Sequence, residues 1–305
     1  MNIGSRGTVQ PLYTIGFGNN LFQYCCARLL AEKNEFVFFH NPSLLEQEGL
    51  FKIGLEETEQ SVDHSSRELD TFYITDSNYK EALESDSLPD ANYVVSGYFE
   101  DYTVYRPYLK EIRSWFPRQE KTNYDDLILH FRLQNRLIQE THCRNHVSFD
   151  VFERGIDKFE FGKLHIVTDA KKWDFYSKQD IEEIQEEIRL GPNPPSNSPW
   201  VDTEYSINYV NRLIEGFSKY DLVVHCNDAG TIPGSGGLRG DFIDDFNLLR
   251  KFDKIMFKDS TFSWWAALLS DAAHVSAYGP WKPNKGAGNK NLGLADFPGW
   301  FSWGT

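Results

Sequence analysis

The chain has 305 residues, of which 40% are hydrophobic, and 45 acidic side chains stand against 31 basic ones. The formal net charge of −14 excludes nucleic acid as a general partner, because binding to phosphate backbones depends on clustered lysine and arginine. A chain of this length exceeds the size at which one hydrophobic core usually stops growing, so we expect two domains of about 150 residues each.

The cysteines and the apolar segments indicate the compartment. Cys25, Cys26, Cys143 and Cys226 do not have the spacing of a disulfide framework, which favours a reducing environment. No segment approaches the roughly 20 consecutive apolar residues of a membrane span, and the first residues contain no long apolar run. The sequence therefore predicts a cytoplasmic protein without a membrane span, and it leaves the oligomeric state open.

The first predicted elements are a short strand, a glycine turn and a helix. Gly16 and Gly18 let the backbone turn sharply or approach a ligand closely, although a plain strand-to-helix turn explains the pair equally well. The helix after them has one buried face, formed by Leu21, Phe22, Cys25, Cys26, Leu29 and Leu30. Its two cysteines are therefore predicted to be small core residues and not reactive thiols.

The next informative strand runs from Leu127 to Phe131 and ends at a charged residue, Arg132. Arginine holds phosphate through two parallel, charge-assisted N–H bonds, so Arg132 is a candidate for binding a phosphate group. Further on, His142, Cys143 and His146 stand close together. Three ligands in so short a window rarely complete a metal site, and no metal ion is predicted.

The last predicted strand–helix unit begins with the apolar run Ile255-Met256-Phe257. Asp259, Ser260 and Thr261 follow, and residues of these types commonly cap a helix. Free N–H groups, two hydroxyls and the positive end of the helix dipole would also form a phosphate site at the end of a strand. An ordinary capped helix explains the same residues.

Three of these segments together resemble the α1,2-fucosyltransferase family. Residues 260–266, Ser-Thr-Phe-Ser-Trp-Trp-Ala, are similar to the last signature motif of that family, Asn-Ser-Ser-Phe-Ser-Trp-Trp followed by small and apolar residues. Residues 16–24 are similar to its opening motif, Gly-Leu-Gly-Asn-Gln-Met-Phe-Gln-Tyr. Residues 130–136 are similar to its His-x-Arg-Arg-x-Asp-Tyr motif.

The resemblance implies an α/β fold of the GT-B type, in which two Rossmann-like domains with parallel sheets face each other across a cleft. We expect an acceptor-side domain at residues 1–122, a GDP-sugar-binding domain at 123–280 and a tail at 281–305 that packs across the domain junction. The implied reaction is an inverting transfer of L-fucose from GDP-fucose to a glycan hydroxyl, in the α1,2 linkage of the family. Neither a metal nor another cofactor is expected.

The resemblance also assigns roles to residues of this chain. It implies that Arg132 grips the donor diphosphate, that Asp245 pairs with the guanine base and that Asn19 makes a polar contact in the cleft. A carboxylate that accepts two adjacent N–H groups is suited to guanine. The remaining donor-binding candidates are Gly16, Gly18, His130, Asn135, Ser260, Thr261 and Phe262.

Three departures from the motif leave alternatives open. Leu133 stands where the second arginine is usual, Asn135 where the aspartate is usual and Arg136 where the tyrosine is usual. Because an amide is no general base, Glu140 is our candidate base, against the interpretations of a solvated loop acid or a dissociative reaction without a strong base. The alternatives are a degenerate relative that binds a nucleotide sugar or glycan, and a transferase for another GDP- or deoxy-sugar.

Overall fold

The computed structural model describes residues 7–13, 16–40, 50, 53–55, 69–140, 146–191, 199–226, 242–258, 260–279 and 297–303. Contacts within the chain divide it into two compact units. The described residues of the first unit lie between 7 and 117, and those of the second are 118–279 and 297–303. Each unit is built on a parallel sheet, which confirms the predicted α/β class with parallel strands.

The first unit contains a four-stranded sheet. Its strands are β1 (Thr8–Pro11), β2 (Val37–Phe38), β3 (Thr71–Ile74) and β4 (Asn92–Val95). Its helices are α1 (Phe17–Asn34), α2 (Tyr79–Glu84), α3 (Tyr102–Tyr105) and α4 (Leu109–Ser114), with a 3₁₀ turn at Arg106–Tyr108. All pairings in the order β2-β1-β4-β3 are parallel.

The buried face predicted for α1 is confirmed. Every residue of the predicted stripe is at most 3% exposed, from Leu21 to Leu30. Burial raises the pKa of the Cys25 and Cys26 thiols well above the ordinary value, which keeps both protonated and unreactive at neutral pH. The two cysteines are therefore core residues, as the spacing predicts.

The second unit contains a six-stranded sheet. Its strands are β5 (Asn123–Phe131), β6 (Leu164–Thr168), β7 (Leu222–His225), β8 (Phe252–Phe257), β9 (His274–Tyr278) and β10 (Phe301–Trp303). Its helices are α5 (Gln134–Ile138), α6 (Phe149–Ile156), α7 (Lys178–Leu190), α8 (Thr203–Phe217), α9 (Phe242–Arg250) and α10 (Thr261–Leu268). The strand order is β10-β9-β8-β5-β6-β7, and every pairing is parallel.

Strand β5 is covered on both faces. On one face, Phe131 contacts Phe152 of α6 and Phe217 of α8, with ring centroids 5.2 and 5.8 Å apart. On the other face, His130 lies 5.4 Å from the ring of Phe262 in α10. A strand buried on both faces reads as a continuous apolar run, which is why Leu127 to Phe131 could be recognised from the sequence.

The sequence did not indicate β10, which pairs with β9 at the edge of the second sheet. Trp303 is 1% exposed, and its indole N–H donates to the carbonyl oxygen of Phe257 at 3.2 Å. None of the helices in the described part of the chain is long and apolar enough to cross a membrane.

We predict that Gly216→Ala lowers the free energy of unfolding by about 1 kcal/mol, the difference between an overpacking cost of about 1–3 kcal/mol and a gain of about 1 kcal/mol in helix propensity. A Cβ atom at Gly216 in α8 would lie 2.2 Å from Cγ of Phe149 in α6. Urea denaturation measures the change. The control is Glu215→Ala at the exposed neighbouring position, for which we expect less than about 0.5 kcal/mol. A Gly216→Ala variant more stable than the wild type would contradict this close packing.

We further predict a pH dependence from His40, which is 2% exposed and hydrogen-bonded to the Tyr13 hydroxyl. Burial lowers the pKa of His40 to about 4, although a hydrogen bond with the backbone of Leu55 opposes the shift. Between about pH 6.5 and 4 the unfolded chain therefore takes up a proton that the folded chain does not, so the stability falls as the pH falls.

His40→Phe should lose less stability than the wild type when the pH is lowered through this window. Denaturation curves at several pH values measure the difference. His274→Phe, which replaces an exposed histidine of β9, serves as the control and should follow the wild type. Equal losses for His40→Phe and the wild type would show that His40 does not carry the dependence.

Candidate functional site

The carboxyl ends of four neighbouring strands of the second sheet lie at one edge, because β8, β5, β6 and β7 are all parallel. The residues that directly follow these strands are Lys258, Arg132, Asp169 and Cys226. Ligands of open parallel sheets bind at such an edge, where strand ends and helix N-termini meet. This edge is therefore our candidate functional site.

His130 connects β5 to the beginning of α10. It is 8% exposed, and its Nδ1 atom lies 2.5 Å from the hydroxyl oxygen of Ser263. Ser260 caps the helix by accepting the backbone N–H of Ser263 at 3.4 Å, so the predicted helix cap is present. Its own hydroxyl proton can still donate to an anion. Ser263, which sequence reasoning did not single out, holds the two elements together.

Thr261 and Phe262 lie in the first turn of α10 and are half-buried. The ring of Phe262 packs between those of His130 and Phe246, at centroid distances of 5.4 and 5.3 Å. Phe262 therefore fixes the first turn of α10 against β5 and α9. Asp259, which was predicted with them as a cap, lies outside the described residues.

Arg132 lies at the end of β5 and is paired with Asp169 at the end of β6. Its Nε atom is 3.6 Å from Oδ2 of Asp169, and 36% of its side chain is exposed. Oδ1 of Asp169 accepts the backbone N–H of Leu133 at 2.5 Å. Asp169 thus orients both the guanidinium group and the backbone after β5, which leaves a partly exposed cation at the edge.

Lys258 is a second cation at this edge, and sequence reasoning missed it. It is 5% exposed, and its backbone N–H donates to the carbonyl oxygen of His130 at 3.2 Å. Its ammonium nitrogen lies 6.0 Å from the ring centroid of Tyr278. The signal in the sequence that could have identified Lys258 is its position between an apolar strand and a helix cap. Lysine side chains are rarely this deeply buried in proteins.

The positive charge of Lys258 affects the pKa of His146. Its Nε2 atom lies 2.5 Å from the carbonyl oxygen of Arg136, and its ring stacks on Tyr209 at 3.9 Å between centroids. Burial lowers the pKa of His146, and the charges of Lys258 and Arg136 add to the effect, while the hydrogen bond to the Arg136 carbonyl opposes it. His146 is thus built into the packing of α8.

The other residues weighed for a metal site with His146 were His142 and Cys143, which lie outside the described residues. Within the part of the chain that the structure describes, no group of three or more His, Cys, Asp or Glu side chains is arranged to hold a metal ion.

The residues after β5 differ in their surroundings. Leu133 is 2% exposed and belongs to the core, so it cannot replace the second arginine of the resembled motif. Asn135 lies in α5, and its side chain is outside the described part of the structure. Glu140 is exposed, and its backbone N–H donates to the carbonyl oxygen of Pro199 at 3.1 Å. A solvent-facing carboxylate is therefore present close behind α5.

An open pocket of about 720 Å³ lies at the ends of β6 and β7. Its walls include Trp173, Asp174, His225, Cys226, Asp244 and Asp245. Asp245 belongs to the first turn of α9, and Trp173 contacts the rings of Phe131 and Phe217 at 6.2 and 6.0 Å between centroids. The predicted guanine partner therefore lies in a pocket at the same edge as Arg132.

The glycine motif lies in the first unit. Gly16 has a φ angle of 105°, which favours glycine, and its carbonyl oxygen accepts the N–H of Asn20 at 3.0 Å. Gly18 is buried in the first turn of α1, whereas Asn19 is half-buried. Gln23 of the same motif donates to the carbonyl oxygen of Gly97 at 2.8 Å. The motif thus fixes α1 against the end of β4.

A separate pocket of about 580 Å³ lies beside α1 in the first unit. Arg28 lies in the wall of this pocket. Its guanidinium group donates to Glu32 and to the Tyr24 hydroxyl, both at 2.6 Å, and lies 4.5 Å from the ring centroid of Trp115. These contacts stabilise the packing of α1 against the end of α4. We therefore assign the candidate site to the edge of the second sheet.

Comparison with known proteins adds no relative. No protein-family model matches the chain, and a search of curated proteins finds no match.

We predict that Lys258→Met raises the pKa of His146 toward the ordinary histidine value, because the substitution removes a nearby positive charge. NMR titration of the imidazole C–H signals measures the pKa. Lys254→Met, at the other end of β8, is the control and should leave it unchanged. The same His146 pKa in Lys258→Met and the wild type would contradict the position of the Lys258 ammonium group.

Proposed function

We propose that this protein transfers L-fucose from GDP-fucose to a hydroxyl group of a glycan, with inversion at the anomeric carbon and without a metal ion. One observation carries the proposal: two cations, a helix N-terminus and an acceptor-lined pocket with Asp245 share the carboxyl edge of one parallel sheet. These are the groups that a diphosphate and a guanine base require. The three motifs shared with α1,2-fucosyltransferases support the same donor.

The diphosphate would bind at the ends of β5 and β8. Arg132 can present a planar pair of N–H donors to it, and Asp169 orients that guanidinium group. Lys258 supplies a second positive charge, and the N–H groups at the start of α10 supply a third positive contribution. Together they would stabilise the negative charge that grows on the leaving group.

The base would bind in the pocket at the ends of β6 and β7. The carboxylate of Asp245 can accept both N1–H and N2–H of guanine. Trp173 lines the same pocket and offers an aromatic surface to a planar ligand. We assign none of the described residues to bind the hexose, so the choice of fucose rests on the motifs that resemble those of the family.

In the proposed reaction, the bond from the anomeric carbon to the β-phosphate oxygen breaks while the acceptor oxygen bonds to the opposite face of that carbon. GDP leaves as an anion, and the sugar passes through an oxocarbenium-like state. A carboxylate takes the proton of the acceptor hydroxyl, and Glu140 is our candidate because Asn135 has no basic group. The family's α1,2 linkage is part of the proposal.

The proposal includes a GT-B arrangement, in which the first unit serves the acceptor side. Asn19 would then make a polar contact in the cleft, and Gly16 and Gly18 would let the backbone approach the donor. This finer arrangement rests on the motif resemblance. The parallel sheets of the two units are the structural feature that agrees with it.

A second candidate function is a protein that binds GDP-fucose without transferring the sugar. The specific observation in its favour is the burial of Leu133, which is 2% exposed and offers no charge to the diphosphate. The replacement of an acidic residue by Asn135 points the same way, since it removes a basic group. Lys258 weakens this candidate because it restores a cation at the same edge.

We predict that Arg132→Ala lowers the rate of acceptor-dependent GDP release by at least about 100-fold, because it removes a donor to the departing diphosphate. The assay measures GDP release with GDP-fucose and a panel of neutral glycans. Arg154→Ala, an exposed position in α6 of the same unit, is the control and should retain normal activity.

The outcomes separate the candidate functions. Thermal stabilisation of the wild type by GDP-fucose with acceptor-dependent release supports the transferase. Stabilisation without release over a broad acceptor panel supports the binding protein. Near-normal turnover by folded Arg132→Ala, or stabilisation by nucleotide sugars other than GDP-linked ones, would overturn the assigned donor site.

A further inference from the structure

Three side chains, one each from β5, β6 and β7, form a hydrogen-bonded row on one face of the second sheet, and the row ends at the pocket. Asp126 of β5 lies 3.3 Å from Nε2 of His165 in β6, and Nδ1 of His165 lies 3.1 Å from Nε2 of His225 in β7. The parallel register pairs His165 with Val223, which places His225 two residues further along the same face. His225 lines the pocket.

The charge of Asp126 sets the direction of the first hydrogen bond. Burial alone would raise the pKa of Asp126, but hydrogen bonds from the Asn123 side chain, the Lys163 backbone and His165 lower it below the ordinary value. An ionised carboxylate only accepts hydrogen bonds. Nε2 of His165 must therefore carry a proton and donate it to Asp126.

This direction passes on to His225. In its neutral form His165 has one donor and one acceptor nitrogen, so Nδ1 of neutral His165 is an acceptor. Nε2 of His225 must then be the donor, and Nδ1 of His225 keeps a lone pair. Burial lowers the pKa of His225, and the positive charge that His165 carries in its protonated form lowers it further.

The pocket is consequently rich in hydrogen-bond acceptors. Asp174, Asp244 and Asp245 contribute carboxylates, and His225 contributes a ring nitrogen. The ammonium group of Lys172, the cation in the wall, lies 2.8 Å from Asp180 and 5.1 Å from the ring centroid of Tyr176. A flat ligand with several N–H donors fits this lining better than one with exposed lone pairs.

We propose that His225, held in one tautomer by His165 and Asp126, accepts a hydrogen bond from an N–H group of guanine. The site would therefore bind guanine in preference to adenine. The inference rests on the proposed function, because it takes the pocket to be the base site of the GDP donor. Guanine presents N1–H and N2–H donors, whereas adenine presents a lone pair at N1. Adenine would place its N1 lone pair against the acceptors of this lining, whereas guanine offers them N–H donors, so the lining favours guanine.

The first experiment tests the tautomer without any nucleotide. In ¹⁵N NMR spectra of the imidazole rings, Nδ1 of His225 should appear unprotonated in the wild type. Asp126→Asn should reverse this state. The carbonyl oxygen of the new amide can keep the backbone N–H of Lys163, which Asp126 accepts at 2.8 Å. The NH₂ group of that amide then takes the place of Oδ2 and donates to His165, and the hydrogen bond that Oδ2 accepts from the Asn123 side chain at 2.8 Å is lost. The ring nitrogens of His165 and His225 would then exchange their donor and acceptor roles.

The second experiment measures the affinities for GDP and ADP by calorimetry. Asp126→Asn and His225→Phe should each weaken GDP binding about tenfold or more and reduce the preference for GDP over ADP. Asp125→Asn, at the exposed neighbouring position of β5, is the matched control and should bind as the wild type does. Denaturation curves establish that each variant is folded.

The outcomes distinguish the two proposals. GDP binding and GDP preference that survive both substitutions would overturn the role of His225 while leaving the donor assignment intact. A protonated Nδ1 in the wild type would overturn the tautomer argument. A wild type that binds no GDP, with the expected tautomer in place, would overturn the proposed function and the reading of guanine with it.

Discussion

The parallel pairing of β5 with β6 on one side and β8 on the other is the constraint on which the candidate site depends. It brings Arg132, Asp169 and Lys258 to the same edge, although they are far apart in the sequence. Two hydrogen bonds then fix the edge locally: the backbone N–H of Lys258 donates to the carbonyl oxygen of His130, and the backbone N–H of Leu133 donates to the carboxylate of Asp169. The positions of the charges follow from strand order.

The site concentrates opposite chemistries in adjacent places. The ends of β5 and β8 carry two cations and the N-terminus of α10, in a chain whose net charge is −14. The ends of β6 and β7 carry carboxylates and a histidine with a free lone pair in its assigned tautomer. The proposed guanosine diphosphate donor has a group for each part of this edge, because its diphosphate is an anion and its base offers N–H donors.

Much of the fold could be predicted because its signals are local. The buried face of α1, the strand that ends at Phe131 and the cap at Ser260 were all readable from neighbouring residues. Strand β10 could not be read, because three residues carry no period of their own and are held by pairing with β9. For the candidate site, Arg132 and Asp245 were predicted from residue type and from the family resemblance. Lys258 was missed because its burial depends on the surrounding elements.

The sequence by itself determined the α/β class and the parallel character of the sheets, and it indicated several candidate site residues, because apolar periodicity, caps and motifs act over a few neighbouring positions. Only the tertiary structure decided which of those residues meet. The hydrogen bonds that orient the site join residues 36, 39 and 60 positions apart, from Leu133 to Asp169, from Asp126 to His165 and from His165 to His225. Strand order and register set these contacts, and no local pattern specifies either.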